Sequence, residues 1–489
     1  MCGGVLKVKS GENSRYDFYP PDPVLLEKLV EKALDKGASY AEARFHARLG
    51  DSVLVVNDRV VGGGFEIEEG VAFRVIVDGA LGFASTSLLS EESLDSVVDH
   101  AVSIARSSSR GFRKKVGMSE ERLGQAQYSL KVKKDFRNLE LEDKASIVLE
   151  YSKSLESKSV DLKAKTFSYS DVLEAKLIIT SDGGNIESII PRVSIFYNIA
   201  AEHGDRRANK WGHLAGSGGL ELVGELGLES MLKDDVNSLE VNLVKAEPSP
   251  KGVMDVIISP EIVGLALHES IGHPSEADRV MGREAAQAGL SYRMWLDGRI
   301  GSSKVTVADD PTVPGSYGFY LYDDEAVPAR ERILINKGEL AELLHSRTTA
   351  YSFGVQSNGA ARAMNYRSEP IVRMSNTYLK PGDMRFEELL EDVKEGIYMK
   401  SYMEWNIDEF RLVARYVGLE AYLIKNGRIV KPVRDTVLEI PTESFYSKID
   451  GVGKDLRFYA GICGKGEPPQ PLPVWMGGPH VRVRDVRVG

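Results

Sequence analysis

The sequence predicts an α+β protein, and three observations carry that reading. Several segments place apolar residues at helical spacing, several short β-type runs meet at Asp-Gly or Asn-Gly turns, and a proline-rich break at residues 247–252 divides the chain. At 489 residues the chain exceeds what one core organises. Three units are expected: an N-terminal α+β domain over residues 1–110, a central helix plus β-meander segment over 111–246, and a strand-rich C-terminal domain over 247–489.

The first element is a helix over residues 23–36. Asp22 caps it, Gly37 stops it, and Leu25, Leu26, Leu29, Val30, Ala33 and Leu34 form its apolar face. Short strands are expected at 41–47 and 53–56, and strands at 71–77 and 81–86 flank an Asp78-Gly79 hairpin signal. A helix over 91–106 presents Leu94, Val97, Val98, Ala101, Ile104 and Ala105. Residues 107–134, with Ser107-Ser108-Ser109 and Arg113-Lys114-Lys115, read as a polar connector. A helix over 140–157 follows, then a β-meander turning at Asp182-Gly183-Gly184, then a helix near 222–232. His203 and His213 fall in or just after the meander without a ligand pattern and read as structural or surface residues. Beyond the break, strands are expected at 319–322, 333–336, 371–376, 412–417 and 421–425, the last entering an Asn426-Gly427 turn, with one helix over 385–395.

Composition narrows the class. Apolar residues make up 42% and charged residues 27%, ordinary for a globular protein, and the net charge of −10 offers no basic footprint for nucleic acid. No apolar run approaches the roughly 20 residues of a membrane helix. Cys2 and Cys463 make no disulfide framework, so a reducing compartment is expected. Met1-Cys2-Gly3-Gly4-Val5 matches neither a secretory signal nor a myristoylation site, so the cytoplasm is the expected location.

The most informative motif is His268-Glu269-Ser270-Ile271-Gly272-His273, two imidazoles flanking a carboxylate. Neutral imidazole is a favoured zinc ligand, and a glutamate beside the first histidine can deprotonate a metal-bound water. The spacing is one residue longer than in H-E-x-x-H. In a regular α-helix, positions four apart lie within about 40° of each other, but positions five apart diverge by about 140°. A π-bulge would restore a common face. Gly272 tolerates unusual backbone angles and Pro274 disfavours an unbroken α-helical ladder, so a bulged helix is expected around residues 271–274.

The flanks place this motif on a helix anchored in the core. Residues 254–258 read as a strand, Ser259 as an N-cap, Pro260 as the first helical residue and Glu261 as a first-turn acid, and Ile262, Val263, Leu265, Ala266 and Leu267 supply packing. Catalytic zinc takes three protein ligands and keeps one open position. Cys463, in Gly461-Ile462-Cys463-Gly464-Lys465-Gly466, is the strongest candidate for the third. Glu276 and Asp278 compete as ligands, or orient a histidine ring.

These residues stand in a longer pattern: His273-Pro274-Ser275-Glu276-Ala277-Asp278, Tyr322-Asp323-Asp324-Glu325-Ala326-Val327-Pro328, Leu334-Ile335-Asn336-Lys337-Gly338-Glu339-Leu340, Arg373-Met374-Ser375-Asn376-Thr377-Tyr378, Gly70-Val71-Ala72-Phe73-Arg74-Val75 and Asp78-Gly79-Ala80-Leu81-Gly82-Phe83-Ala84-Ser85-Thr86. The chain thereby resembles the TldD/PmbA family, in its TldD-like branch of zinc metalloproteases, from about residue 38 to the Cys463 loop. The resemblance implies Zn2+ held by His268, His273 and Cys463, Glu269 as general base, unfolded or short peptides as substrate, and a homodimer or a heterodimer with a PmbA-like partner. Pro274 and Ser275 depart from the Gly-Leu pair expected there. The implied reaction is peptide hydrolysis by zinc-activated water, with Glu269 returning the proton to the leaving amine. Tyr366, Arg367, His345 and His480 are candidates by type for the oxyanion donor.

A non-catalytic peptide-binding or regulatory protein with a structural metal stays open. A copper site wants a weak axial methionine and a compact ligand loop, which Met476 does not supply. Asp309-Asp310 and Asp323-Asp324-Glu325 lack the spacing of a calcium loop and read as turn chemistry. Gly464-Lys465-Gly466 fails the P-loop pattern, and Gly216-Ser217-Gly218 lacks the nucleophile elbow.

Overall fold

The structure is a computed structural model, and it describes residues 15–111, 115–284 and 290–489. Cys2 and the pair Arg113-Lys114 lie outside the described residues. Asp22 accepts the Val24 N–H at 2.9 Å to start the helix Pro23–Asp35, and Gly37 at φ +92° ends it. The two short strands expected next are one, Tyr40–Val56. Gly50-Asp51 resembles a turn but stays in the strand because tertiary partners hold it there. A side chain at Gly50 would meet the Asp171 carbonyl at 1.9 Å, and the buried Asp51 carboxylate takes the Tyr16 hydroxyl at 2.9 Å and Lys144 at 2.5 Å. The hairpin Arg59–Val77 to Ala80–Thr86 turns at Asp78 and Gly79, both at positive φ, and the helix Glu91–Ser109 covers it.

The meander strands Asp161–Thr180, Asn185–His203 and Arg206–Ser217 join these strands rather than standing apart. Tyr40–Val56 pairs antiparallel with Asp161–Thr180, so residues from both of the first two expected units share one seven-stranded sheet. The expected connector contributes an edge strand to it, Gln125–Ser129, parallel to Asn185–His203. Its alternation of exposed and half-buried residues gave no apolar signature. The helix expected near 222–232 is two, Glu221–Glu225 and Leu228–Glu240, broken at Gly227 in a left-handed conformation.

Residues 247–252 are not a free linker, since Glu247 and Pro248 pair with Val433 and Arg434. Beyond them lie two large sheets and a two-stranded one, Ala361–Arg362 with Ile371–Val372. One large sheet closes on itself, because Glu395–Ile407 pairs with Gly252–Ile258 on one edge and with Val413–Lys425 on the other, completing a ring through Val481–Val488 and Val437–Pro441. The second runs Glu339–Leu340, Arg332–Asn336, Val307–Asp309, Asn376–Leu379, Leu472–Gly478, Arg457–Cys463. The helix Pro260–Leu267 emerges from the ring strand Gly252–Ile258 and packs on Leu472–Gly478 of the second sheet, so it belongs to the core shared by both.

Several expected elements differ in detail. Residues 319–322 form no strand; Arg192 ties the Tyr317 and Phe319 carbonyls at 3.1 Å in an irregular segment. Residues 371–376 divide into Ile371–Val372 and Asn376–Leu379, and the helix over 385–395 shortens to Phe386–Glu391. The expected pair 412–417 and 421–425 is the single strand Val413–Lys425, turning at Asn426-Gly427 with both φ positive. No helix among the described residues is long and apolar enough to cross a membrane.

Two predictions follow from this packing. A Cβ at Gly264 would lie 2.8 Å from backbone atoms of Met476 and Gly477, so Gly264→Val pushes the helix off its sheet and should cost about 1–3 kcal/mol in urea unfolding. Burial holds His46, His213 and His345 down to about 4. Between roughly pH 6.5 and 4 the unfolded chain binds protons that the folded chain refuses, so stability should fall as pH falls through that window. His213→Gln should flatten the decline, read as urea midpoints across a pH series.

Candidate metal centre

The α-helical ladder of Pro260–Leu267 gives way at the motif to a π turn, His268–Gly272, and then to a 3-10 turn, His273–Ser275. The His273 N–H donates to the His268 carbonyl, the five-residue reach that defines the π turn. The bulge thus sits slightly earlier than the expected residues 271–274. Pro274 explains the need for it: with no N–H to offer, it leaves the Ser270 carbonyl without its helical donor. The Tyr292 hydroxyl supplies one at 2.6 Å, and the Ser275 hydroxyl bonds the Ile271 carbonyl at 2.7 Å. Gly272 has no room for a side chain, since a Cβ would meet Met374 Sδ at 2.0 Å. Ser259 occupies the N-cap position with extended backbone, but its hydroxyl makes no capping bond.

The extra residue brings His273 round to the face of His268, with ring centroids 5.0 Å apart and planes at 79°. Cys463, at the end of the strand Arg457–Cys463, places its Sγ 3.5 Å from His273 Nε2. The ligand atoms of His268, His273 and Cys463 all lie within 4.8 Å of one another. No other such trio occurs among the described residues. Tetrahedral zinc with ordinary Zn–N and Zn–S lengths separates a nitrogen and a sulfur ligand by about 3.5 Å. The His273–Cys463 spacing already matches. His268 Nδ1 is buried with no hydrogen-bond partner, which a protein interior rarely tolerates unless something else fills that role. Two imidazoles, one with an unpartnered buried nitrogen, and a thiol fit a zinc ion.

Electrostatics favours the metal-binding protonation states. Burial lowers the pKa of both histidines, keeping the rings neutral and their lone pairs available. Burial alone would raise the Cys463 thiol, but His273 and Arg373 outweigh it and hold the group below its usual range. Glu276 is not part of the trio. It accepts from His273 Nδ1 at 3.0 Å, which fixes the ring with Nε2 toward Cys463. Lys465 reaches both Asp278, at 2.6 Å, and Glu276, at 3.3 Å, so the lysine beside the cysteine ties its loop to the segment after the motif. Arg373 donates to the Cys463 carbonyl and, at 2.5 Å, to that of Gln470, anchoring the loop from the other side.

Glu269 is buried and ion-paired with Arg411. Arg411, Arg373 and the inward turn of Lys465 escaped the sequence reading, because each partner lies far along the chain and none makes a motif with it. Each of the four oxyanion candidates named by residue type is engaged with partners outside the trio. Arg367 pairs with Glu68, the Tyr366 ring lies against Gly70, His480 bonds Asp455 and Tyr398, and His345 contacts Thr349 at 3.2 Å. Asp310, which accepts the Thr312 N–H at 2.8 Å, and Asp323, which accepts those of Glu325 and Val327, do the turn chemistry expected of these acids, whereas Asp309 lies in the strand Val307–Asp309 paired with Arg332, and Asp324 and Glu325 form buried ion pairs with Lys176 and Arg74. His213 bonds the Ser194 hydroxyl at 2.8 Å, and the exposed His203 bonds the Ser159 carbonyl at 3.0 Å.

Comparison with known proteins matches residues 41–105 to the PmbA/TldA metallopeptidase domain 1, residues 134–237 to the PmbA/TldA metallopeptidase central domain and residues 251–489 to the PmbA/TldA metallopeptidase C-terminal domain. A metalloprotease of Methanocaldococcus jannaschii is 34% identical over 466 residues, covering 94% of this chain and 98% of its own. A zinc metalloprotease TldD homolog of Saccharolobus solfataricus is 28% identical over 472 residues, covering 94% and 99%. The solved structure of TldE from Thermococcus kodakarensis superposes with a TM-score of 0.73 at 16% identity, covering 95% of this chain and 100% of that one, and shows the same fold. The three matched segments and the full-length relatives lead to one conclusion: this chain belongs to the PmbA/TldD family of metallopeptidases.

Proposed function

We propose that the protein is a zinc-dependent peptidase acting on unfolded or short peptides, with His268, His273 and Cys463 as zinc ligands and Glu269 as general base. The observation that carries this reading is the π turn that aims two imidazoles at one thiol while keeping a carboxylate between them in sequence. Zinc in such a set lowers the pKa of a coordinated water toward about 7 and polarises a carbonyl. The rest is the work of this chain's side chains. Glu269 takes the proton of the attacking water and returns it to the leaving amine. Glu276 holds the His273 tautomer that keeps Nε2 free to bind. The burial of all four side chains limits bulk water and strengthens each charge interaction among them. A thiolate ligand donates more charge than a third imidazole would, which favours a slow hydrolase dependent on substrate positioning.

Surface features near this centre support a peptide as substrate. Met294, Trp295 and Phe410 are 46%, 60% and 38% exposed, and the Trp295 and Phe410 rings meet at 6.3 Å. Trp295 follows Tyr292, which bonds the Ser270 carbonyl in the motif, and Phe410 precedes Arg411, which pairs with Glu269. Exposed apolar rings beside a buried polar centre suit the side chains of an unfolded chain. Arg457–Cys463 ends its sheet, the kind of position that accepts an extended peptide as an added strand. Assembly as a homodimer or with a PmbA-like partner, and a cytoplasmic setting, belong to the same proposal. The competing reading, a peptide-binding or regulatory protein with a structural metal, draws on the Glu269–Arg411 ion pair, since a structural site also neutralises its buried acids.

Glu269→Gln separates the two readings. Peptide cleavage, read by mass spectrometry on a mixed peptide pool, should fall by about 10²–10⁴-fold while about one zinc per chain is retained. Undiminished cleavage by this variant would remove Glu269 from the reaction. Cys463→Ser or His273→Ala should lose the zinc itself by elemental analysis, and Glu276→Gln should weaken zinc affinity by about 10–100-fold in competition with a chelator.

A further inference from the structure

The helix that carries Glu269 does not hold its side chain. Arg411 does, from the turn between Glu395–Ile407 and Val413–Lys425. We propose that Arg411 is the positioning residue for Glu269, fixing one carboxylate oxygen so that the other alone handles the proton, a role that rests on the peptidase reading above. Arg411 Nη1 donates to Glu269 Oε2, and among the described residues Oε1 accepts no hydrogen bond. The two side chains are 6% and 10% exposed, so the pair is shielded from water.

The turn is built to deliver this one group. Arg411 sits at φ +65°, a left-handed conformation that a long side chain rarely adopts, and such strain persists only where the surroundings enforce it. Here they do. The Asp408 carboxylate accepts the N–H groups of Phe410 and Leu412, each at 2.8 Å, and of Val413, while the Asp408 carbonyl takes the Arg411 N–H at 3.0 Å. Thr442 clamps the far side, its hydroxyl donating to the Arg411 carbonyl and its N–H to the Leu412 carbonyl, both at 2.8 Å. A rigid turn with one strained residue, whose guanidinium ends on the general base, fixes a direction rather than merely a charge. A lysine elsewhere would neutralise Glu269 without setting which oxygen is free.

The test combines two double-variant cycles. In zinc-loaded protein, Arg411→Met should lower kcat about 100-fold with KM within about threefold, and should add no further loss on top of Glu269→Gln. Added methylguanidinium should restore part of the activity of Arg411→Met. In metal-free protein, Arg411→Met should lower the urea midpoint by leaving the buried Glu269 without its hydrogen-bonding partner, and adding Glu269→Gln should recover most of that loss. Wild-type kcat in Arg411→Met, or losses that multiply in the double variant, would overturn the proposal by showing a purely structural pair or a role elsewhere. If Arg411→Met does not fold, Arg411→Lys provides the measure: reduced kcat at unchanged zinc content supports fixed geometry, and wild-type kcat overturns it. Full activity of Glu269→Gln would sink the peptidase reading itself, an outcome distinct from either result at Arg411.

Discussion

One backbone hydrogen bond, from the His273 N–H to the His268 carbonyl, sets the geometry on which the candidate site depends. Five residues separate the histidines, and a regular α-helix would send their rings in divergent directions. By widening a single turn, that bond places both imidazoles on one side, where the Cys463 thiol meets them. The widened turn survives because its freed carbonyls find other donors. Tyr292 serves Ser270 and the Ser275 hydroxyl serves Ile271, so those two carbonyls keep partners despite the distortion.

The surrounding fold turns this local feature into a fixed site. The metal-motif helix lies between the closed ring of strands and the sheet that ends in Arg457–Cys463, and Gly264 brings it against Met476 and Gly477. Rigid packing on both sides sets the distance from the imidazoles to the thiol. Charged groups then brace each component: Glu276 on His273, Lys465 between Glu276 and Asp278, Arg373 on the Cys463 carbonyl, Arg411 on Glu269. Buried charges are costly unless paired, and each of these is paired with a group that belongs to or adjoins the centre. The pairing therefore doubles as alignment.

The first sheet shows why some elements were harder to see. Gly50-Asp51 has the composition of a turn, and only the approach of Asp171 and the buried Lys144 and Tyr16 keep it extended. Gln125–Ser129 is a polar edge strand whose one pairing partner lies some sixty residues on, so local periodicity carried no trace of it. Glu247 and Pro248 look like a linker and yet pair with Val433 and Arg434. In each case a distant contact outweighed local composition.

What the sequence by itself determined was the local chemistry: two imidazoles and a carboxylate on a core-facing helix, a cysteine in a glycine-rich loop, the hairpins at Asp78-Gly79 and Asn426-Gly427, and a bulge required by five-residue spacing with Pro274 behind it. Those features follow from side-chain type and backbone freedom within a few residues. Only the tertiary structure decided that Glu276 orients a ring, that Arg373 and Lys465 anchor the Cys463 loop, and that Arg411 pairs with Glu269. The Arg373, Arg411 and Lys465 pairings bridge 90, 142 and 187 residues of chain, and a contact that depends on how two sheets pack leaves no spacing in the sequence to be read.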